Sequence, residues 1–219
     1  MNPTVLIIGG GGHARVLIDV LRLQSVAILG ITDADTSRMG SNVLGIRVLG
    51  TDTVISEFAP ESVQLVNAIG SIHLPKGRRA VFEKFKDMGF RFVTVIHPSA
   101  VVASDVVIDE GAQIMAGAVI QPGSRIGMNT IVNTRASVDH DCVIGNHVHL
   151  APGVTLSGGV RVGDTSHLGS GATVIQYVTI GSNSVVGAGS VVVTDVPDNA
   201  EFAGVPARTI SLSIRKGRK

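Results

Sequence analysis

The chain is poor in cysteine and in aromatic side chains. Its 219 residues include one cysteine, one tyrosine and no tryptophan, and aromatic residues make up 3% of the sequence. One cysteine excludes an internal disulfide framework. The shortage of aromatic rings argues against recognition of single-stranded nucleic acid, which depends on bases stacking on such rings.

An excess of charge of one sign and a long apolar run are also missing. Lysine and arginine together number 18, aspartate and glutamate 17, and the net charge is +1, which gives no reason to expect binding to nucleic acid or to a membrane surface. No apolar run approaches the length of a membrane span, and the start MNPTVLIIGG lacks the pattern of a signal peptide. We therefore expect a soluble, cytoplasmic protein. The basic tail at 215–219 is interpreted as a solvated, frayed end.

An aliphatic residue occurs at every sixth position over almost half of the chain. The positions are Ile96, Val102, Ile108, Ile114, Ile120, Ile126, Val132, Val138, Ile144, Leu150, Leu156, Val162, Leu168, Val174, Ile180, Val186 and Val192. The residue two positions earlier is small or compact. Neither a helix nor a simple strand produces this period, whereas a hexapeptide β-helix does. We predict a triangular rod with roughly eighteen residues to a coil and about five coils, in which the aliphatic residue fills each corner.

The first ninety residues have a different pattern, typical of a small parallel α/β domain. Strands are predicted at 4–8, 26–31, 63–69 and 91–95, and helices at 14–24 and at about 76–88. The glycines at 9–12 stand between a strand and a helix, which is the arrangement of a phosphate or nucleotide cradle. The length opposes a complete dinucleotide domain and favours a mononucleotide-binding portion.

Two polar residues of this domain have two interpretations each. His13 either touches a bound group or is only the start of the helix. Asp33 follows the second strand, where its carboxylate can accept hydrogen bonds from a ribose or a base, but it can equally form the turn in TDAD.

His140 is the candidate general base of the rod. At eighteen residues to a coil, Pro122 and Gly158 stack on either side of it, while Gly123 and Gly159 flank Asp141. The glycines predict an open groove in which a substrate approaches the imidazole from either side. A neighbouring carboxylate, from the aspartate at 139 or at 141, would fix the tautomer and raise the basicity. The alternative is a surface ion pair that contributes little.

Two other groups are not expected to hold a metal or to form a covalent intermediate, although His149 is expected to contact a ligand that runs along the rod. His149 and His167 should stack one above the other, but residues 131 and 185 supply no third ligand, so no metal is expected. Cys142 occupies an inward position, where a buried thiol has a raised pKa and cannot reach substrate. Direct transfer without an acyl-cysteine is therefore favoured.

The sequence resembles the hexapeptide-repeat, left-handed β-helix acyltransferases, and among them the nucleotide-sugar N-acetyltransferases of the bacillosamine and perosamine type. The motifs that carry the resemblance are GGGGHAR at 9–15, AIG at 68–70, IHPSAVV at 96–102, NTRASVDHDCVIGNHVHLAPG at 133–153 and AGVPAR at 203–208. The resemblance implies a Rossmann-like nucleotide-sugar-binding domain over 1–95 and a left-handed β-helix acetyltransferase domain with a C-terminal tail over 96–219. It also implies a homotrimer with acetyl-CoA as co-substrate.

The resemblance further assigns roles to single residues. His140 would be the general base, Asp141 would raise its basicity, and no metal would take part. The residues matching the acetyl-CoA site are His149, Gly158, His167, Gly204 and Pro206. The residues matching the nucleotide site are Gly11, Gly12, His13, Asp33 and Gly70.

Several rival functions stay open on the sequence alone. O-acetylation of a sialic acid or another sugar needs the same base with a hydroxyl acceptor. A noncatalytic or metal-carrying hexapeptide protein, such as a γ-class carbonic anhydrase, would need three histidine ligands. An NAD-binding oxidoreductase is opposed by the short N-terminal domain. Whether UDP or GDP carries the sugar is not decided.

Overall fold

The computed structural model describes residues 4–71 and 73–210, so the basic tail lies outside the described residues. The first part of the chain is a five-stranded sheet in the order β3-β4-β2-β1-β5, parallel except for the β3–β4 pair. Its strands are β1 (Val5–Ile8), β2 (Ile28–Thr32), β3 (Asn42–Val43), β4 (Ile46–Gly50) and β5 (Gln64–Asn67). The helices are α1 (Gly12–Leu23) and α2 (Lys76–Asp87), with 3₁₀ helices at Thr36–Arg38 and Asp52–Glu57.

The sequence missed β3 and β4 and overextended the last strand of this domain. Residues 91–94 do not form a strand: Phe92 makes one isolated parallel bridge to Leu65, and its N–H donates to Glu110 Oε1 at 2.7 Å. The Phe92 ring packs on Phe82 with 4.4 Å between the ring centroids. These contacts hold the chain against the rod at Phe92. The first coil therefore begins before a fifth parallel strand has formed in the sheet.

The rod contains seventeen two-residue strands, and each of the seventeen repeated aliphatic residues is the second residue of one of them. The strands are β6 (Val95–Ile96), β7 (Val101–Val102), β8 (Val107–Ile108), β9 (Gln113–Ile114), β10 (Val119–Ile120), β11 (Arg125–Ile126), β12 (Ile131–Val132), β13 (Ser137–Val138), β14 (Val143–Ile144), β15 (His149–Leu150), β16 (Thr155–Leu156), β17 (Arg161–Val162), β18 (His167–Leu168), β19 (Thr173–Val174), β20 (Thr179–Ile180), β21 (Val185–Val186) and β22 (Val191–Val192). Two further strands, β23 (Glu201–Gly204) and β24 (Ala207–Thr209), close the end. The prediction that the aliphatic residue fills a corner is therefore wrong, since it lies within a wall.

The walls of the rod are three parallel sheets. From β6 to β22, each strand pairs with the strand three positions later in the sequence, which lies one coil further along the rod. Wall 1 contains β6, β9, β12, β15, β18, β21 and the two closing strands; wall 2 runs from β7 to β22 and wall 3 from β8 to β20. His149, for example, pairs with Ile131 below and His167 above. The aliphatic residues stack inside as one continuous core, and each of those that is fully buried stabilises the rod by roughly 1.5 to 3 kcal/mol.

The α/β domain packs on wall 1 through buried polar contacts. Gln113 in β9 donates from Nε2 to the Asn67 carbonyl at 2.7 Å. Arg78 in α2, 1% exposed, donates from Nη1 to the same carbonyl at 2.6 Å and from Nε to the Asn129 carbonyl of the rod at 3.1 Å. Burial lowers the pKa of Arg78 to about 9. These bonds hold the segment that follows β5 against the rod.

Candidate active site

His140 lies between β13 and β14, on the edge where wall 2 meets wall 3. Its Nδ1 lies 2.8 Å from Asp141 Oδ2, and its backbone N–H donates to Asp139 Oδ1 at 2.8 Å. The hydrogen bond with Asp141 raises the pKa of His140, and the charges of both aspartates act in the same direction. Because Nδ1–H faces the carboxylate, the lone pair of neutral His140 is on Nε2, which is free to accept a proton.

The space over the glycines around this pair is filled by side chains of neighbouring coils. A Cβ on Gly158 would lie 2.6 Å from both Cε1 and Nε2 of His140, so the ring rests directly on that glycine. The carboxylate of Asp141 similarly occupies the space over Gly123, and the Tyr177 ring covers Gly159. The prediction of a groove open on both sides is therefore wrong. The ring occupies the Gly158 side, and 54% of the His140 side chain remains exposed.

The glycine loop lines a cavity of about 390 Å³. The residues that line it are Gly9, Gly10, Gly11, Gly12, His13, Asp33, Arg38, Ala68, Ile69 and Gly70. A Cβ on Gly11 or Gly12 would meet nothing within 4 Å, so these two glycines leave the backbone open toward the cavity at the start of α1. Free N–H groups at a helix start favour a phosphate there.

The Asp33 carboxylate makes its hydrogen bonds within the protein. Its Oδ2 accepts from Gly10 N–H and from Arg38 Nη1, each at 2.9 Å, and its Oδ1 accepts from Asp35 N–H at 3.0 Å. Arg38 Nη2 also donates to the Gly10 carbonyl at 2.7 Å. Of the two interpretations, the structure shows the turn-forming one directly. The aspartate shapes the loop, and Arg38, which the sequence did not single out, brings a cation to the cavity.

A second cavity, of about 410 Å³, connects the glycine loop with the rod, and a third, of about 450 Å³, continues along wall 1. The residues that line the second are Gly12, His13, Val16, Gly70, Ser71, Asn133 and His149. The third shares Ser71, Asn133 and His149 with it and extends past Pro152, His167, Gly169, Val185 and Gly187, among others. The three cavities share lining residues and form one groove, which we call the wall-1 groove.

The histidines of the wall-1 groove are neutral near pH 7. Burial lowers the pKa of His13 to about 4, that of His149 to about 3 and that of His167 to about 4. His13 Nε2 lies 2.7 Å from Gln113 Oε1, and the rings of His149 and His167 meet edge to face with 4.9 Å between centroids. Among the described residues, no group of three or more His, Cys, Asp or Glu could hold a metal ion.

One chain does not bring all the predicted residues together. The five predicted nucleotide-site residues, together with His149 and His167, line the wall-1 groove. His140, Asp141 and Gly158 lie on the edge between walls 2 and 3, which in a triangular rod is opposite wall 1. Gly204 is the last residue of β23 and Pro206 lies in the turn that follows it, both outside the three cavities.

Comparison with known proteins matches both parts of the chain. Residues 4–85 match the PglD N-terminal domain model, and residues 123–158 match the bacterial transferase hexapeptide model. A GDP-perosamine N-acetyltransferase of Escherichia coli O157:H7 is 32% identical over 164 residues, 73% of this chain and 72% of that protein. The chain belongs to the hexapeptide-repeat nucleotide-sugar N-acetyltransferases of the perosamine and bacillosamine type. It is therefore an acyltransferase, and its rod is a left-handed β-helix.

Two solved structures cover nearly all of this acyltransferase. A perosamine N-acetyltransferase from Caulobacter crescentus, in complex with CoA and GDP-perosamine, has 44% identity and a TM-score of 0.88, covering 95% of this chain and 97% of that one. The acetyltransferase domain of PglB from Neisseria gonorrhoeae, in complex with acetyl coenzyme A, has 37% identity and a TM-score of 0.88, covering 96% of this chain and 100% of that one.

Two sequence-based expectations about this acyltransferase are tested directly by the structure. Cys142 is buried, its thiol lies 3.3 Å from the Ser157 carbonyl, and burial raises its pKa, so the predicted inward position of this residue is confirmed. The helices within residues 4–71 and 73–210 are all too short or too polar to cross a membrane.

Replacing Asp141 by Asn should shift the pH profile of the acyltransferase. A general base at His140 would have to be neutral, and activity would then fall as the pH drops below the raised pKa of this histidine. Without the carboxylate this pKa falls, and the acidic limb of the kcat/KM profile moves to lower pH while the maximum rate decreases. The matched control is Asp139→Asn, which removes a charge that makes no hydrogen bond to the ring and should shift the limb less. The assignment fails if the Asp139 variant shows the larger displacement.

Proposed function

We propose that this protein transfers the acetyl group of acetyl-CoA to the 4-amino group of GDP-perosamine, a nucleotide-linked 4-amino-4,6-dideoxy sugar, in the cytoplasm. The observation that carries the proposal is a nucleotide-sized groove on the same fold as the GDP-perosamine enzyme of Caulobacter crescentus, together with a histidine whose pKa is raised by a bonded aspartate. That relative was also solved with one histidine replaced, in complex with CoA and GDP-perosamine.

In this proposal residues 1–95 form the nucleotide-sugar-binding domain, and residues 96–219 form the acetyltransferase domain. The diphosphate lies at Gly11 and Gly12, where the helix start offers free N–H groups and Arg38 adds positive charge. The sugar extends past His13 and Gly70 toward Ser71. The pantetheine arm of acetyl-CoA follows the part of the wall-1 groove lined by His149 and His167.

The working enzyme is proposed to be a homotrimer whose active sites each combine two chains. His140 lies on the edge opposite wall 1 of its own rod, so it cannot serve the groove of its own chain. Rotation about a three-fold axis can place the edge of one triangular rod against wall 1 of the next, and the same contact repeats until the ring closes. Gly158 would then lie beside the thioester, and the turn at Gly204 and Pro206 near the adenine end of the cofactor.

The reaction proceeds by direct attack in a ternary complex. The sugar amine attacks the thioester carbonyl carbon, a C–N bond forms, and the C–S bond breaks as coenzyme A leaves as a thiolate that takes up a proton. His140 Nε2 accepts the proton lost from nitrogen, and Asp141 stabilises the resulting imidazolium. Much of the acceleration comes from holding amine and thioester in contact within one groove. Cys142 takes no part, since its thiol is buried.

A thiol-release assay with acetyl-CoA tests the proposal against a panel of GDP- and UDP-linked 4-amino sugars. We expect GDP-perosamine to give the highest kcat/KM and a product whose acetyl group resists hydroxylamine, as an amide does. Release of the acetyl group by hydroxylamine would indicate an ester and therefore O-acetylation. Thiol release with none of the sugar nucleotides would reject the proposed function.

A further inference from the structure

Asn133, His149 and Ser71 form a chain of hydrogen bonds along the wall-1 groove. Asn133 Nδ2 lies 3.2 Å from His149 Nε2, and His149 Nδ1 lies 2.8 Å from Ser71 Oγ. All three side chains line both the cavity that leads to the glycine loop and the cavity that continues along the rod. They therefore stand where the two substrates of the proposed reaction would meet.

The direction of every hydrogen bond in this series is fixed by Asn133, which is a residue of the rod. Asn133 Oδ1 accepts the backbone N–H of Thr134 at 2.8 Å, so the amide turns its NH₂ group toward His149. An NH₂ group can only donate, and His149 Nε2 must therefore accept. A neutral imidazole carries one proton, which is then on Nδ1 and is donated to Ser71 Oγ.

The surroundings of His149 agree with this direction. Burial, followed by the nearby His167, lowers the pKa of His149 to about 3, so the ring holds a single proton at working pH. The loop that carries Ser71 is also held to the rod further on, where His73 Nε2 lies 3.3 Å from Glu201 Oε1. The serine is thus placed before any substrate arrives.

Once Ser71 Oγ accepts from His149, its own proton has no acceptor among the described residues. We propose that the Ser71 hydroxyl is a substrate-contacting donor that binds an oxygen of the substrates at the junction of the two cavities. His149 then acts as a positioning residue, since both of its ring nitrogens are used within the chain of bonds. This changes the expectation that His149 itself makes the polar contact with acetyl-CoA, and it rests on the proposed function.

Two substrate oxygens can receive this proton, and kinetics distinguishes them. If the acceptor is a hydroxyl or ring oxygen of the sugar, Ser71→Ala should raise the KM for the nucleotide sugar about tenfold and leave kcat nearly unchanged. If it is the thioester carbonyl, whose oxygen becomes negative during attack, the variant should lower kcat on the order of a hundredfold. Ser71→Thr, which keeps the hydroxyl, should restore most of either loss.

The tautomer of His149 provides a readout that a merely structural serine would not predict. In ¹⁵N-histidine-labelled enzyme, with the signals of His149 assigned from their loss in His149→Gln, Nδ1 should carry the proton and Nε2 should not. A proton on Nε2 would overturn the proposal, and so would wild-type kinetics in Ser71→Ala or equal impairment of the Ala and Thr variants. If wild-type enzyme acetylates no nucleotide sugar, the proposed function fails, while the tautomer measurement still tests the chain of bonds separately.

Discussion

His140→Ala should lower kcat by roughly 10²- to 10⁴-fold while the rod stays folded, because the variant loses the proposed general base. The side chain is exposed and packs on a glycine, so its removal leaves no cavity in the core. The pH profile provides the second measurement: the acidic limb attributed to His140 should disappear with the imidazole. Retention of the wild-type rate in the purified variant would show that another group removes the proton.

The same variant tests whether the active site is shared between chains. Gly11→Glu places a negative charge where the diphosphate is proposed to bind, and a Cβ there meets nothing within 4 Å, so the fold should tolerate it. Each variant alone should be nearly inactive. When the two are co-expressed in equal amounts, about one site in four would combine an intact base from one chain with an intact loop from another. No recovery of activity in the mixed trimers would place both parts of the site within a single chain.

The architecture of the rod was predictable because one period controls both its local structure and its packing. Each of the seventeen repeated aliphatic residues is the second residue of a strand. A count of eighteen residues to a coil correctly places His149 directly below His167. The same arithmetic placed Gly158 next to His140. It could not show that the ring fills the space over that glycine, since the period gives a neighbour but not a side-chain rotamer.

The contacts that join the two domains were beyond prediction from the sequence. Ser71 and His149 are separated by 78 residues, and no repeat or motif relates a loop of the α/β domain to a wall of the rod. Arg38 was missed for a related reason, since its ion pair with Asp33 depends on a 3₁₀ turn with little periodic signal. Both contacts depend on how the chain folds in three dimensions, and each involves a residue that lines the wall-1 groove.

Gly158→Ala should reduce kcat/KM on the order of 10²-fold although it adds only one methyl group. The new Cβ would lie 2.6 Å from Cε1 and Nε2 of His140, closer than non-bonded atoms can approach, so the ring must move by a substantial fraction of an ångström. A displacement of about 1 Å in a reacting group is enough to cause such a loss. The ring is exposed and can move outward, so the melting temperature should change little.

The matched control for this variant is Gly77→Ala in the first turn of α2, where a Cβ meets nothing within 4 Å. This control should keep full activity and a slightly higher stability, since alanine is the better helix former. If Gly158→Ala retained wild-type kcat/KM, the imidazole would not need its place over the glycine, and the geometry assigned to the base would be wrong. If the activity of Gly158→Ala fell together with its melting temperature, the methyl group would have disturbed the coil rather than the base.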